Sequence, residues 1–236
     1  FSSDNGGGDT NAPLQGGKAR MWEGGIRVPM IVAGPKVPAN SQCDKPVAQW
    51  DYLNTMHDLS GSSAPLPDNL DGVSLRPVFE KGNKGRLAKR DTGFVFHFPA
   101  FYTIPITSYR NGDYKLMRHL NTGEIKLFNV AKDMGETKDL TKSMPDKAKS
   151  MVRKLDAYLK NVGAWTMEEV YETRLEELDG WINQLKAEAS KYKTVLKENP
   201  EDKDAQERLK RAESQIKDKL KSRTNMLENQ ASSKWL

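Results

Sequence analysis

Cysteine is almost missing from this sequence: Cys43 is the only one in 236 residues. One thiol cannot close a disulfide within the chain, so a disulfide-stapled scaffold is excluded. No run of 18 apolar residues occurs, so no membrane-spanning helix is expected. No signal peptide is visible, and there is no initiator Met. Phe1 is followed at once by polar and glycine residues, so the opening reads as the end of a strand from a longer chain. A charge excess of one sign is also slight. The formal net charge is +5, and after Thr166 there are 14 Lys+Arg against 15 Asp+Glu. Such a near-neutral tail carries no nucleic-acid signature, and no nucleic-acid partner is expected. The small basic excess lies before residue 167. It reads either as a mildly basic surface or as a field that steers anionic substrates.

What is present falls into three regions, and the length suits one large or two small domains. Residues 1–83 combine Gly-rich loops with the apolar run Val28-Pro29-Met30-Ile31-Val32-Ala33. A run without alternation suits a strand buried on both faces of an α/β sheet. Asp51 to Leu59 reads as a helix, with Asp51 as N-cap and Gly61 just past its end. A Pro-rich loop, 64–67, follows. Residues 84–165 read as a small antiparallel sheet plus a helix. Gly93–Phe98 is strand-like, and Asn111-Gly112 is a strong hairpin signal between strands at 108–110 and 114–117. Asn121-Thr122-Gly123 makes the next turn, before a strand at 125–128. Ser143 is placed to cap a helix with Pro145 in its first turn. Ala148, Met151, Val152, Leu155, Leu159 and Val162 form its apolar stripe, and Gly163 ends it.

Residues 166–236 follow a different period. Tyr171, Leu175, Leu178, Ile182, Leu185, Ala189, Tyr192 and Leu196 alternate steps of four and three, which is a heptad seam. Asn199-Pro200 breaks it. A second helix is expected from Asp202 to about 229, with Leu209, Ala212, Ile216 and Leu220 inward. Two such helices with a short break predict an antiparallel helical hairpin. The hairpin packs within the chain or makes an oligomer contact. Gly180 is its weak point, costing about 1 kcal/mol relative to Ala.

Two short segments carry chemistry. Asp4-Asn5 sets a carboxylate beside an amide at a strand end, the oxygen-donor types that Ca²⁺ and Mg²⁺ take. Ligands bind at such strand ends in α/β sheets. Asp-Asn-Gly is also a common turn sequence. Gly16-Gly17-Lys18 adds a cation on flexible backbone, fit to grip an oxyanion or simply to face solvent.

Taken together these segments resemble the sulfatase family. The match runs through Phe1-Ser2-Ser3-Asp4-Asn5-Gly6-Gly7, Pro13-Leu14-Gln15-Gly16-Gly17-Lys18 and Met21-Trp22-Glu23-Gly24-Gly25-Ile26-Arg27-Val28-Pro29. It continues through Gln49-Trp50-Asp51-Tyr52-Leu53-Asn54-Thr55, Leu70-Asp71-Gly72-Val73-Ser74-Leu75-Arg76-Pro77 and Tyr109–Leu116. It ends with Leu127-Phe128-Asn129 and Asp133–Thr137, so it covers about residues 1–165. The resemblance implies the C-terminal part of an alkaline-phosphatase-like α/β sulfatase fold, with the hairpin as an extension outside the family pattern. It implies that Asp4 and Asn5 ligate a divalent cation, Ca²⁺ before Mg²⁺, and that Lys18 contacts the substrate's sulfate. His97, in Phe96-His97-Phe98-Pro99, is similar to a His segment bordering the pocket in some sulfatases; a structural histidine is the other reading. Trp22, Glu23 and Arg27 are expected to set loop geometry.

The family nucleophile is a formylglycine made in a Cys/Ser-x-Pro-x-Arg motif, and the sequence contains none. Cys43-Asp44-Lys45-Pro46 places proline one residue late, Ser63–Pro67 lacks the arginine, and Ser143–Lys147 ends on lysine. The expectation is a sulfatase fragment, inactive by itself, with the formylglycine in an N-terminal part. The expected substrates are sulfated carbohydrates or aryl sulfates, and the expected compartment of the full protein is periplasmic, secreted or lysosomal. The rival readings are a phosphoryl or phosphonate hydrolase of the same superfamily and a non-catalytic interaction protein built on the hairpin.

Overall fold

The Asn-Gly signal marks the middle of a four-stranded antiparallel sheet in the computed structural model, ordered β1-β2-β3-β4. The strands are β1 (Phe94–Phe98), β2 (Ile106–Asn111), β3 (Tyr114–His119) and β4 (Ile125–Asn129). The structure describes residues 1–8, 10–90, 92–99 and 104–233. They form two compact units, Phe1–Phe94 and Val95–Leu236.

In the second unit the β2–β3 hairpin pairs Asn111 with Tyr114, so its two loop residues are Gly112 and Asp113. This places the turn one residue beyond the Asn-Gly pair. Gly112 stands first in the loop at φ +61°, a conformation open to glycine without strain. Gly123, at φ +68°, closes the next turn. Register then lines up Tyr109, Leu116 and Leu127 across three strands on one face. Helix α4 (Pro145–Asn161) covers that face with Ala148, Met151 and Leu155, and the six residues form one core. Leu116, Leu127 and Leu155 have no exposed surface.

Two details of α4 differ from the sequence reading. Met144 is the N-cap residue, and the Ser143 hydroxyl donates to the Leu140 carbonyl instead of capping the helix. Val162 lies past the helix end and is 51% exposed, because the last inward position of the stripe is Leu159.

The opposite face of the sheet buries an ion pair. Lys115 Nζ lies 2.8 Å from Glu136 Oε1, and both side chains are fully buried. Charges withdrawn from water to this degree persist only when each neutralises the other.

The helical hairpin is present as α5 (Met167–Glu198) and α6 (Lys203–Ser233). Thr166 caps α5 reciprocally with Glu169, each side chain engaging the other residue's backbone N–H. Every residue of the predicted α5 seam is buried or half-buried. On α6 the seam includes Ala205, Leu209, Ala212 and Ile216, then Lys219, Arg223 and Met226. Leu220 is 43% exposed, since the four-and-three spacing passes through residues 219 and 223. The two cations in the seam find partners on α5: Arg223 pairs with Asp179, and the Lys219 ammonium lies 4.1 Å from the Trp181 ring centre.

In the first unit α1 (Glu23–Ile26), α2 (Asp51–Ser60) and α3 (Arg76–Lys81) are joined by long loops. The run at 28–33 is not a strand: Met30 makes one isolated bridge to Ser2, and Ile31 is 66% exposed. A strand buried on both faces needs neighbours on both edges, and among the described residues only the segment at Phe1–Ser3 runs beside it. Gly61 ends α2 in the left-handed conformation, as expected. Asp51 is its first helical residue and not its cap. The helix is inverted in character. Asp51 and Thr55 are buried, whereas Leu53, Met56 and Leu59 are 54%, 62% and 49% exposed. Arg76 ties α3 to α2 through Asp58 and also pairs with Glu80.

Replacing Leu155 with Ala is expected to remove about 2–5 kcal/mol from the second unit, read as a lower urea midpoint at unchanged slope. The Ser74 hydroxyl and the Arg76 guanidinium hold the Asp58 carboxyl below its ordinary range. A depressed carboxyl stabilises the fold above its unfolded value of about 3.9 and loses that contribution as pH falls through its folded value. Asp58→Asn is therefore expected to flatten the acid side of the stability profile, measured by urea unfolding from about pH 5 downward.

Candidate functional site

Glycine backbones, rather than side chains, assemble the loops that carry Asp4, Asn5 and Lys18. The Gly6 N–H donates to the Gly25 carbonyl at 2.9 Å, the Lys18 N–H to the Gly7 carbonyl at 2.9 Å, and the Gly24 N–H to the Gln15 carbonyl at 2.8 Å. These bonds interlock the 4–8 loop, the 15–18 loop and the first turn of α1. The approach is too close for any side chain. A Cβ on Gly6 would lie 1.7 Å from the Gly24 oxygen, and one on Gly25 would lie 2.0 Å from the Arg20 oxygen. Asn11 completes the lock, its amide bonding the Gly7 N–H, the Gly7 carbonyl and the Gly16 carbonyl.

Asp4 and Asn5 emerge from this frame side by side. Asp4 Oδ1 accepts the Asn5 backbone N–H at 2.9 Å, and Asp4 Oδ2 accepts the Asn5 side-chain amide at 2.6 Å. The Ser3 hydroxyl donates to the Asn5 carbonyl at 2.9 Å. The amide gives its nitrogen to Asp4, and its oxygen is the atom that a hard cation takes. The donor types fit Ca²⁺ or Mg²⁺, but two adjacent residues are only part of a cage of six to eight oxygens. Among the described residues no group of three His, Cys, Asp or Glu side chains could hold a metal ion.

Lys18 follows the buried Gly17 and is exposed, and no ion pair engages its ammonium among the described residues. Lys18 belongs to the same unit as Asp4 and Asn5 and is tied to their loop through Gly7. Glu23 is buried and pairs with Arg27 at 3.5 Å, consistent with a role for both in loop geometry.

His97 belongs to the second unit. Its Nδ1 lies 2.6 Å from the Thr107 hydroxyl and its Nε2 lies 2.7 Å from the Trp165 carbonyl. A carbonyl only accepts, so Nε2 carries a proton. In the neutral ring Nδ1 then accepts from Thr107. Both nitrogens are thus engaged in tying β1 to β2 and to the segment after α4.

Gln49, which pattern reading did not single out, and Asp51, which it read only as a helix cap, support the loops. The Gln49 amide nitrogen donates to the Ser3 and Asp4 carbonyls at 2.7 and 3.1 Å. Asp51, fully buried, accepts the backbone N–H groups of Ala48 and Val73 and pairs with Arg90. Neither has a local signal, because their partners lie more than 20 residues away in every case except Ala48.

Residues 17–164 match the family described as N-sulphoglucosamine sulphohydrolase, C-terminal. A sulfatase of Formosa agariphila is 33% identical over 179 residues, which are 67% of this chain and 32% of that protein. Human steryl-sulfatase is 40% identical over 94 residues, 39% of this chain and 15% of its own. The crystal structure of Ps i-CgsB in complex with k-i-k-neocarrahexaose superposes with a TM-score of 0.55 at 29% identity, covering 67% of this chain and 35% of that one. A 2-O GAG sulfatase, BT1596, gives a TM-score of 0.50 at 27% identity, covering 62% of this chain and 32% of that one. The chain thus spans about a third of the length of the Formosa relative.

The glycine lock has a direct test. Gly25→Ala is expected to destabilise the first unit by about 3 kcal/mol through overpacking. Gly8→Ala, where nothing lies within 4 Å of the added carbon, is expected to leave it within about 0.5 kcal/mol. Chemical denaturation of the two variants would separate them.

Proposed function

The chain belongs to the sulfatase family, through the C-terminal region of N-sulphoglucosamine sulphohydrolase, and on that premise we propose that it supplies one wall of a sulfuric ester hydrolase site. The observation that carries this reading is the interlock of the Asp4-Asn5 loop with the Lys18 loop through shared glycine backbone. It joins the backbones that carry a carboxylate, an amide and an ammonium in one frame.

In this reading Asp4 and Asn5 would hold a divalent cation, Ca²⁺ before Mg²⁺, together with acidic ligands from outside this sequence. When bound, the cation draws charge from the sulfate oxygens and so eases cleavage at sulfur. Lys18 binds a non-bridging sulfate oxygen. The Gly7 bond fixes its backbone, and a cation held close to the sulfate stabilises charge that develops there in the transition state. The nucleophile, a formylglycine, is supplied from outside this sequence, which holds no Cys/Ser-x-Pro-x-Arg motif. The outward apolar stripe of α2 supports the same division of the molecule. Leu53, Met56 and Leu59 form the kind of exposed patch that a larger core covers.

The substrate class in this proposal is a sulfated carbohydrate or aryl sulfate. Relatives named as a steryl-sulfatase and a 2-O GAG sulfatase support that class. Among the described residues no helix is long and apolar enough to cross a membrane.

The isolated chain is expected to show no metal-dependent turnover of an aryl sulfate. Calorimetry is expected to give Ca²⁺ binding no tighter than about 10⁻⁴ M, the weak end for oxygen-donor sites. Clear turnover, or much tighter binding, would show that the site is complete within these residues.

A further inference from the structure

We propose that Gln49 is a positioning residue for the cation site, a role that rests on Asp4 and Asn5 being metal ligands. The geometry is specific. One side-chain nitrogen reaches across 45 and 46 residues of sequence to two successive carbonyls, Ser3 at 2.7 Å and Asp4 at 3.1 Å. Those carbonyls belong to the two peptide planes that flank the Asp4 Cα. Rotation of either plane would swing the Asp4 carboxylate and carry the Asn5 amide with it, and each rotation breaks a bond to Gln49. The opposite side of the loop is held by Gly6 to Gly25. Between these two anchors lies the Asp4-Asn5 pair.

Gln49 is itself anchored although its side chain is exposed. It stands in the turn that opens α2, where the Asp51 N–H donates to the Ala48 carbonyl and the Tyr52 N–H to the Gln49 carbonyl. The buried Asp51 carboxylate closes the turn by accepting the Ala48 N–H at 2.8 Å. Since Asp51 also takes the Val73 N–H and pairs with Arg90, the turn is referenced to the interior of the unit. Gln49 is the step from that interior to the metal loop. Its side-chain nitrogen is spent on backbone carbonyls, so in this proposal it acts through the loop and not as a ligand.

The test uses the full chain with Tb³⁺ as probe, an ion that seeks the same oxygen donors as Ca²⁺ and reports binding by luminescence. Wild type, Asp4→Ala, Gln49→Ala and Gln49→Asn are titrated, with far-UV circular dichroism and urea midpoints as checks on folding. Gln49→Asn keeps the amide but is one methylene short, so it shares the defect while preserving polarity. Both Gln49 variants are expected to bind about fivefold more weakly than wild type with unchanged urea midpoints. Faster hydrogen exchange at the Asn5 and Gly6 amides is expected alongside. Loss of binding in Asp4→Ala with wild-type affinity in both Gln49 variants would overturn the positioning role alone. Binding that survives Asp4→Ala, or a wild-type signal that stays flat up to about 10 mM Tb³⁺, well above the weak affinity expected of a partial cage, would overturn the metal assignment and the positioning role with it. A fall in the urea midpoint that matches the loss of affinity in both Gln49 variants would reduce Gln49 to a structural residue and overturn the proposal.

Discussion

The carboxylate of Asp51 is the constraint on which the first unit depends. It has no exposed surface, and a charge so withdrawn is costly unless it is paired and hydrogen-bonded. Two backbone N–H groups and the Arg90 guanidinium meet that need. Each partner comes from a different stretch of chain: the turn before α2, the loop before α3, and the approach to β1. Thr55, one turn along the same helix, extends the node by accepting the Leu75 N–H while donating to the Asp51 carbonyl. A unit with little sheet is thus organised around polar groups, and this explains the inversion of α2. The inward face of that helix must offer acceptors to loops whose N–H groups lack strand partners, which leaves Leu53, Met56 and Leu59 outward.

The second unit solves the opposite problem. Its strands satisfy their own backbone, so one face of the sheet is free to be apolar and packs α4 on Tyr109, Leu116 and Leu127. The other face carries the Lys115–Glu136 pair, and Glu136 itself is in the left-handed conformation at φ +54°. That conformation costs a residue with a Cβ on the order of 1 kcal/mol, so the ion pair holds the turn after β4 against a local preference. In the hairpin the same logic is milder. Cations at two seam positions of α6 are tolerated because Asp179 and Trp181 stand opposite them.

What could be read in the sequence divides along these lines. The heptad seam of α5, the four strands, the apolar stripe of α4 and the glycine stop at Gly61 were all legible, because each rests on local period or turn chemistry. Thr166-Met167-Glu168-Glu169 also held a legible capping box that spacing alone would have found. The strand expected at 28–33 did not form among the described residues, since an apolar run specifies burial but not the neighbours that provide it. Asp51 looked like a helix cap because its type and place fit one. Its actual partners, Val73 and Arg90, are fixed by tertiary folding and leave no local mark. The same holds for Gln49. His97 stood out through the resemblance of its segment, with a structural histidine as the other reading, and only the fold shows both ring nitrogens engaged.

The candidate site shows why its loops are rich in glycine and poor in side-chain contacts. The cation and sulfate of the proposed reading would be bound by point charges whose separations must be fixed, and long side chains would supply such fixing at a large cost in rotamer entropy. Backbone packed on backbone avoids that cost, at the price of tolerating no Cβ at Gly6 or Gly25. The charge balance follows from the same frame. In the proposed reading Asp4 would contribute one negative charge towards a divalent ion, and Lys18, on the interlocked loop, a positive one. Such a wall with its cation would be net positive, which suits an anionic ester. Two adjacent donors fill only part of a cation's oxygen shell, so in that reading further ligands complete it. In that reading the side chains set on this backbone frame address the sulfate group common to all such esters. They would have little means of reading the molecule to which the sulfate is attached, which would leave selectivity among substrates to other side chains.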